Sequence, residues 1–437
     1  MTSILIHKHD LFLKRTNNYL FIILLLFIAC FFTWSDNVLI TRSIKVIGRL
    51  GLMISSIVLY HSIIRYGAIN NALGYKNIYS PLFYLFYLAL GFISFLWSTN
   101  PGYSALQWLM TFQSLVFAYF FIKSIKVLDH FFEGHSIRLY HLLGNSVFVI
   151  QMVFIVGMII HPTTFFRLTN GGEEARLGGI IMNPNELGML AGVGLSCFIF
   201  DLYRKENKTG TILKILLIFL ALYMTGSRSS LIGALIIVFF HIKQTKGKML
   251  KVVFISMVLV IAPIAVNKMI LKGGDSSRLE EIMSLTGRLP FWKALITEGL
   301  PREPLLGFGY MRIDYKDYFQ GTNTYPGNMT HNTFIQVLMN LGFIGLTIAL
   351  FQLTFTLRAF FKENKETKLM LIGIMIPVLI NSFTEFGIFG DSNYGILFYQ
   401  MIIFSVAFTT NPNLSKIQKI QLNKKRPELY LNYISKK

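Results

Sequence analysis

Long apolar segments recur along the whole chain and form its clearest pattern. Each is about 15 to 25 residues long with almost no charge, and a helix of roughly 20 apolar residues crosses the hydrocarbon layer of a membrane. Alternating strands, which a membrane β-barrel needs, are absent from the pattern. The sequence predicts an all-α integral membrane protein with about 12 transmembrane helices. The predicted spans are residues 19–34, 46–64, 81–97, 105–122, 142–161, 186–203, 212–226, 229–242, 252–270, 332–357, 369–384 and 394–410.

Composition supports a membrane protein over a soluble one. Of the 437 residues, 53% are hydrophobic and 14% are charged, and the mean hydropathy is +0.54. These values lie far from the averages of soluble domains. We predict a single polytopic membrane domain over residues 1–410 and a basic cytoplasmic tail over residues 411–437.

The positions of the basic residues predict the orientation. Most of the 41 Lys and Arg residues fall in alternate short loops and in the tail, and such loops are usually cytoplasmic. We therefore expect an inner-membrane protein with both termini in the cytoplasm, although Arg42, Lys45 and Arg49 crowd the first outer loop. The net charge of +20 is spread over short connectors, which favours contact with anionic lipid and argues against a nucleic-acid partner.

One long segment lacks a predicted span. Residues 271–331 follow the ninth span, and the orientation places them outside the cytoplasm. A connection this long is usually functional or disordered, and its aromatic residues favour order. We expect one or two amphipathic helices there on the outer membrane face, the better candidate being Gly287–Glu298.

Metal and disulfide chemistry have little support in the sequence. The two cysteines, Cys30 and Cys197, fall inside predicted spans, so neither a disulfide framework nor a zinc cluster is expected. Charged residues inside spans lie near the span ends, as Glu186, Asp201 and Glu385 do. No metal site is predicted.

Four polar, glycine-containing segments lie on the predicted outer side. They are ARLGGIIMNPNELG (175–188), TGSRSSLIG (225–233), LTGRLPFWKALITEGLPREPLLGFGY (285–310) and THNTFIQVLMNLGFIGL (330–346). In this order they resemble the core of the O-antigen ligase and Wzy-type O-antigen polymerase superfamily, over roughly residues 170–400. The matching features are an Arg and an Asn before a helix, a GSR turn, a Gly-Arg followed by Trp, a Pro-Leu-x-Gly-x-Gly turn, and a His-Asn that opens a helix.

The resemblance implies a GT-C-like membrane glycosyltransferase that inverts the anomeric centre. The donor would be a glycan linked to undecaprenyl pyrophosphate, and the acceptor would be another glycan or lipid A-core. No cofactor or metal is implied. A chain-length regulator and a flippase are further candidate partners, besides the lipid bilayer.

Three arginines are candidates for binding the pyrophosphate. A leaving pyrophosphate gains negative charge, which fixed guanidinium groups stabilise through bidentate contacts. The resemblance favours Arg228 and Arg288, with Arg176 as a weaker third candidate. The residues alone permit an interfacial, snorkelling role for Arg228 and a solvated position on an amphipathic helix for Arg288.

His331 is the candidate catalytic base. Imidazole can accept the proton of a sugar hydroxyl near neutral pH, and a position at a helix N-terminus disfavours its cation. Without the resemblance, a cap-region histidine would be the simpler interpretation. Asn332, Asn185 and Trp292 are candidates for binding glycan or orienting the site, although Asn185 also suits a helix cap.

Two glycine pairs are predicted to be structural. LLGFGY suits a tight turn, and the glycines of NLGFIGL suit close packing between helices.

The segments HNTFIQVLMNLGFIGL and SFTEFGIFGDSNYG look more like surface-polysaccharide polymerases than ligases, so a polymerase is favoured. An O-antigen ligase is the alternative within the class. A transporter of lipid-linked glycan is the alternative from another class, and it predicts charged residues at mid-span.

Overall fold

The structure is a computed structural model. It describes residues 2–67, 73–131, 139–169, 174–204, 208–244, 288–310, 330–385 and 387–410, together with a few residues between 251 and 263. Most of the predicted extracytoplasmic loop, 271–287 and 311–329, and the predicted tail, 411–437, lie outside these described residues.

Helices make up most of the described chain. In order they are α1 (Thr2–Ala29), α2 (Val38–Ser43), α3 (Arg49–Gly67), α4 (Tyr79–Ile93), α5 (Pro101–Phe131), α6 (Leu139–Ile160), α7 (Pro162–Phe165), α8 (Pro184–Arg204), α9 (Lys208–Thr225), α10 (Arg228–Gln244), α11 (Arg288–Ala294), α12 (Thr333–Phe361), α13 (Lys365–Thr384) and α14 (Tyr394–Ala407). Four short strands also occur: β1 (Leu73–Tyr75), β2 (Phe166–Thr169), β3 (Glu174–Leu177) and β4 (Phe408–Thr410).

The helices agree with the predicted class of fold. Among the described residues, eight helices or continuous helical stretches are long and apolar enough to cross a membrane. Thr209–Thr225 and Tyr394–Ala407 are shorter apolar helices. Every predicted span except the ninth coincides with a helix, and the ninth, 252–270, lies mostly outside the described residues. The chain is therefore a multi-pass helical membrane protein.

Helix α8 lies at the centre of the bundle. It packs against α6, α9, α10 and α13, and most of its residues are buried. Small residues permit this, because close helix contacts need a small side chain on one partner. A side chain at Gly194 would meet Val147 of α6 at 2.6 Å, and one at Gly188 would meet Ser227 at 2.8 Å.

Helix α12 is broken at Gly342. The backbone of Gly342 is left-handed, with φ at +62° and ψ at −163°. The carbonyls of Met339 and Asn340 accept hydrogen bonds from the amides of Phe308 and Gly309, at 3.0 and 2.8 Å. Past the break, the amide of Phe343 donates to the carbonyl of Pro304 at 2.9 Å. Irregular backbone within a membrane protein needs such partners.

The break corrects the prediction for the second glycine pair. Gly342 packs against a turn and not against another helix. A side chain at this position would lie 2.3 Å from the backbone of Leu305, which belongs to that turn. The first pair does form a turn, with positive φ angles at Gly307 and Gly309. The turn and the break fit together and hold residues 304–309 against α12.

The predicted amphipathic helix Gly287–Glu298 is present as α11 and a following π-helical segment, Leu295–Gly299. Its apolar side is buried within the protein, where Phe291 and Leu295 pack with Leu338 and Met339 of α12. Leu289 and Ile296 are exposed on the other side. The helix is thus fixed to α12, which places Arg288 beside the first turn of that helix.

Candidate functional site

A buried carboxylate, Glu385, joins three of the helices at one end of the bundle. Glu385 directly follows the last residue of α13 and is 4% exposed. Its two oxygens accept hydrogen bonds from His331, Arg288 and Asn185, which lie far away in the sequence. We refer to these four residues together with Arg176 as the Glu385 cluster.

His331 contacts Glu385 directly. The ring Nδ1 lies 2.5 Å from Oε2 of Glu385, and the side chain is 15% exposed. This geometry assigns the proton to Nδ1 and leaves Nε2 as the basic nitrogen of the ring. His331 also has a left-handed backbone, with φ at +52°, which is uncommon outside glycine. A strained backbone at a polar cluster is typical of functional sites.

The N-terminus of α12 is capped by the residue after His331. The side chain of Asn332 accepts hydrogen bonds from the amides of Phe334 and Ile335, at 2.9 and 3.2 Å. His331 therefore precedes the cap, and its nearest ionic partner is Glu385 rather than the helix end. The sequence placed the ring near a helix N-terminus, and the structure adds a carboxylate in direct contact with it.

Arg288 approaches Glu385 from α11. Its Nη2 lies 3.1 Å from Oε1 of Glu385, and its Nη1 donates to the carbonyl oxygen of Thr384 at 2.5 Å. The side chain is 18% exposed. Each terminal nitrogen carries two N–H groups, so the guanidinium has donors left for a substrate. The alternative interpretation of Arg288, a solvated residue on an amphipathic helix, is therefore wrong.

Asn185 connects the carboxylate to Arg176. Its Nδ2 donates to Glu385 at 2.8 Å, and its Oδ1 accepts from Nη2 of Arg176 at 2.6 Å. Asn185 is the second residue of α8, and the side chain of Asn183 accepts its amide, so the alternative of Asn185 as the helix cap is wrong. The side-chain amide of Asn185 therefore links the guanidinium of Arg176 to the carboxylate of Glu385.

Arg176 reaches the cluster from a hairpin. Strands β2 and β3 pair antiparallel, with Arg167 opposite Arg176. Nε of Arg176 donates to the carbonyl of Thr225, at the end of α9, at 2.7 Å. Gly226 makes this approach possible, because it has a φ of +63° and packs against the Arg176 side chain. The GSR turn and Arg176 therefore meet.

Arg228 begins α10 two residues after Gly226. Its side chain is half-buried, and the described residues offer it no hydrogen-bonding or ionic partner. The structure thus places Arg228 beside the turn that holds Arg176, but it shows no contact between Arg228 and the Glu385 cluster. Trp292 donates from Nε1 to the carbonyl of Thr330 at 2.6 Å, which fixes the chain just before His331.

The partners of Glu385 decide its ionisation. Burial raises the pKa of this carboxyl, but the hydrogen bond from His331, the charges of His331 and Arg288 and the hydrogen bond from Asn185 together outweigh burial and leave the pKa below its ordinary value. Glu385 is therefore a carboxylate at neutral pH. It can orient and stabilise a protonated imidazole, but it has no proton to donate.

Sequence reasoning missed Glu385 as a site residue. The prediction treated it as a charged residue near the end of a span and assigned it no role. Its signal was a single carboxylate in the otherwise apolar and glycine-rich segment SFTEFGIFG. Charged residues at such positions are costly and commonly functional, with a basic partner.

In the part of the chain that the structure describes, no group of His, Cys, Asp or Glu side chains is arranged to hold a metal ion.

These features define a multi-pass membrane protein with a charged histidine–carboxylate–arginine cluster at one end of its bundle. Residues 212–350 match the family model described as O-antigen ligase, Wzy_C. The match confirms the resemblance that the motifs predicted. Members of this family are O-antigen ligases or polymerases, which supports a glycosyltransferase-type activity.

The matched residues contain part of the cluster. Of the Glu385 cluster, Arg288 and His331 lie within 212–350, whereas Arg176, Asn185 and Glu385 lie outside it. Arg228, which shows no contact with the cluster, also lies within the matched residues. No curated protein matches the chain significantly. The structure therefore joins residues from inside and outside the matched region into one site.

Proposed function

We propose that this protein transfers a glycan from undecaprenyl pyrophosphate to an acceptor hydroxyl, with His331 as the general base. The observation that carries the proposal is the contact between His331 Nδ1 and the buried carboxylate of Glu385. A carboxylate on one ring nitrogen sets the tautomer that makes the other nitrogen basic. The family match supports glycan transfer as the reaction class.

The proposed reaction uses these groups in the following way. The acceptor oxygen attacks the anomeric carbon of the donor sugar while its proton passes to Nε2 of His331. The bond between the anomeric carbon and the pyrophosphate oxygen breaks, and the electron pair leaves with undecaprenyl pyrophosphate. Attack opposite to the leaving group inverts the anomeric centre. Glu385 stabilises the imidazolium that forms, as a carboxylate in contact with the ring should.

The arginines suit the leaving group. Pyrophosphate gains negative charge as the bond breaks. Arg288 and Arg228 carry guanidinium donors that the described residues do not fully use. Arg176 is committed to Thr225 and Asn185, so we assign it the role of holding the site in place. Trp292 positions Thr330 and His331, and Asn332 caps α12. These two residues also remain our candidates for contact with glycan.

We infer a surface-polysaccharide polymerase, with an O-antigen ligase as the alternative. The acceptor decides between them, since a polymerase extends a lipid-linked glycan and a ligase uses lipid A-core. The test is a deletion strain examined by surface-glycan gel electrophoresis. A polymerase predicts that one repeat stays attached and the long chains disappear. Loss of all attachment with accumulation of lipid-linked polymer identifies a ligase.

A transporter of lipid-linked glycan is the competing class. A transporter needs charged or polar binding groups near mid-span, where alternating access can expose them to both sides. The Glu385 cluster instead lies where α8, α11 and α12 begin and α13 ends. This arrangement favours an enzyme that works at one membrane face.

A further inference from the structure

A second group of cations lies in a cavity at the same end of the bundle. The cavity has a volume of about 410 Å³, and Arg42, Lys45 and Arg49 line it. These cations come from α2, from the π-helical segment that follows it (Ile44–Gly48) and from α3. Their spacing of three and then four residues places them on one helix face. The loop after α1, the start of α5 and the loop before α14 complete the walls. The Glu385 cluster does not include these cations.

Arg49 is the unusual member of this group. Its side chain is 1% exposed, and its guanidinium carbon lies 3.7 Å from the centre of the Phe31 ring. Nη1 donates to Oγ of Ser392 at 2.8 Å, while Nε is buried and has no hydrogen-bond partner among the described residues. The same residues give Arg49 no ion pair with a carboxylate. A buried guanidinium without an anion is costly, so an anionic ligand is the natural partner.

The cavity as a whole is positive. Asp36 is the carboxylate in its lining, against three cations, and Glu186 also interacts electrostatically with Lys45. Tyr103, Gln107 and Ser392 add polar groups to the lining. Guanidinium and ammonium groups with neutral hydrogen-bonding neighbours are the usual setting for a phosphate group.

The outer surface of the same helices is apolar. Leu39 of α2 is 74% exposed and Ile47 of the π-helical segment is 67% exposed, in a stretch that is long and apolar enough to cross a membrane. One helical segment therefore presents apolar side chains to its surroundings and cations to the cavity. An amphiphile with an anionic head and acyl chains matches both surfaces.

We propose that this cavity binds the phosphate group of an anionic lipid. The head group contacts Arg42, Lys45 and Arg49, and the acyl chains lie along the apolar surface of α2. The shared chemistry is a phosphate oxyanion, which a soluble phosphate could also supply. The proposal does not depend on glycan transfer, so each can fail without the other.

The test is ligand-dependent stabilisation of the purified, full-length protein in detergent. Phosphatidylglycerol is the lipid probe, diacylglycerol is the matched probe without a charged head group, and inorganic phosphate and pyrophosphate are the soluble probes. The thermal midpoint and native mass spectrometry report binding. The test variant is Arg42→Gln with Lys45→Gln, which keeps the buried Arg49 in place. Arg49→Gln is a second variant, and Arg65→Gln, an exposed arginine near the other end of α3, is the control.

We expect phosphatidylglycerol, but not diacylglycerol, to raise the midpoint of the wild type and of the Arg65 variant. The double variant should need at least about tenfold more lipid for the same rise in thermal midpoint, because two charge-assisted contacts are lost. Stabilisation by inorganic phosphate or pyrophosphate alone, lost in the double variant, would keep the anion site and assign it to a soluble ligand. Equal binding of every probe by the wild type and the double variant, or no binding to the wild type, would overturn the proposal.

Discussion

At the scale of single residues, the charge of the site is set by one carboxylate among several cations. Glu385 accepts from Arg288, from Asn185 and from His331, and Asn185 in turn holds Arg176. Two arginines and a histidine that takes up a proton exceed the charge of one carboxylate. A site of this kind gains stability when a pyrophosphate arrives and when its charge rises in the transition state.

The arginines give a direct prediction. Arg228→Ala and Arg288→Ala should each lower the rate of glycan transfer about a hundredfold, because one charge-assisted contact to the leaving group is worth roughly 2 to 4 kcal/mol. Lysine at either position should restore part of the rate, since it keeps the charge but loses the planar fork. The measurement is the initial rate with purified protein and lipid-linked donor.

The control for the arginines is Lys293→Ala, because Lys293 is an exposed cation on α11, one turn beyond Arg288. It should leave the rate unchanged. Normal rates in both arginine variants, with thermal midpoints equal to the wild type, would show that neither group binds the pyrophosphate.

The residues of the site were only partly predictable from sequence. His331, Arg288 and Arg176 stand in polar motifs with glycine and asparagine, so their residue types and order point to chemistry. Glu385 lies 54 residues after His331 and 97 after Arg288. Local pattern cannot show that tertiary packing brings such distant side chains to within 3.1 Å of each other.

At the scale of elements, the break in α12 links the candidate site to the bundle. The carbonyls freed near Gly342 receive the amides of Phe308 and Gly309, and residues 304–309 continue from α11 and its π-helical extension. Arg288 is the first residue of α11, at the start of the segment 288–309 that packs against α12. His331 lies just before α12. The position of Arg288 relative to His331 therefore depends on the break.

Gly342→Ala tests this dependence. The substitution adds a Cβ that would lie 2.3 Å from the Leu305 backbone, at a residue with a φ of +62°. Left-handed strain and the clash should together destabilise the protein by about 2 kcal/mol or more. We expect a lower thermal midpoint in detergent and a lower transfer rate.

The matched control for the break is Gly51→Ala in α3, where an added Cβ meets nothing within 4 Å. Alanine should be neutral or slightly stabilising there, because glycine is the poorer helix former. If Gly342→Ala behaves like Gly51→Ala in both midpoint and rate, the break does not hold the site together.

The elements themselves were predictable to different degrees. Spans follow from local hydropathy, so the predicted positions coincide with helices wherever the structure describes them, apart from shifts at the ends. The hairpin at 166–177 and the break at Gly342 were not predicted. Both depend on backbone partners that are distant in sequence or on a φ angle, and neither leaves a periodic pattern.

At the scale of the whole molecule, charged and polar groups lie at both ends of the helical bundle. The Glu385 cluster and the cavity of Arg49 lie at one end, where α1 finishes and α3, α5, α8, α12 and α14 begin. The opposite end carries ion pairs between Lys76 and Glu363 and between Arg204 and Glu366. The excess of basic residues in the connectors at this opposite end predicts that it faces the cytoplasm.

Cysteine labelling tests the orientation. Glu303→Cys and Lys365→Cys place exposed thiols at the two ends, while the native Cys30 and Cys197 are buried. An impermeant thiol reagent should label Glu303→Cys in cells with a permeabilised outer membrane and label Lys365→Cys only after the inner membrane is opened. The reverse result would place the candidate site in the cytoplasm and remove the proposed donor from its reach.

The proposed catalytic mechanism depends most directly on the pair formed by His331 and Glu385. The decisive measurement is the initial rate of glycan transfer by purified wild type, His331→Gln and Glu385→Gln, with thermal midpoints measured alongside. General-base assistance is typically worth about 100-fold to 10,000-fold, so His331→Gln should lose at least a hundredfold. Glu385→Gln should lose a substantial part of the rate, because an amide cannot stabilise the imidazolium as a carboxylate does. Full activity in folded His331→Gln would contradict the account.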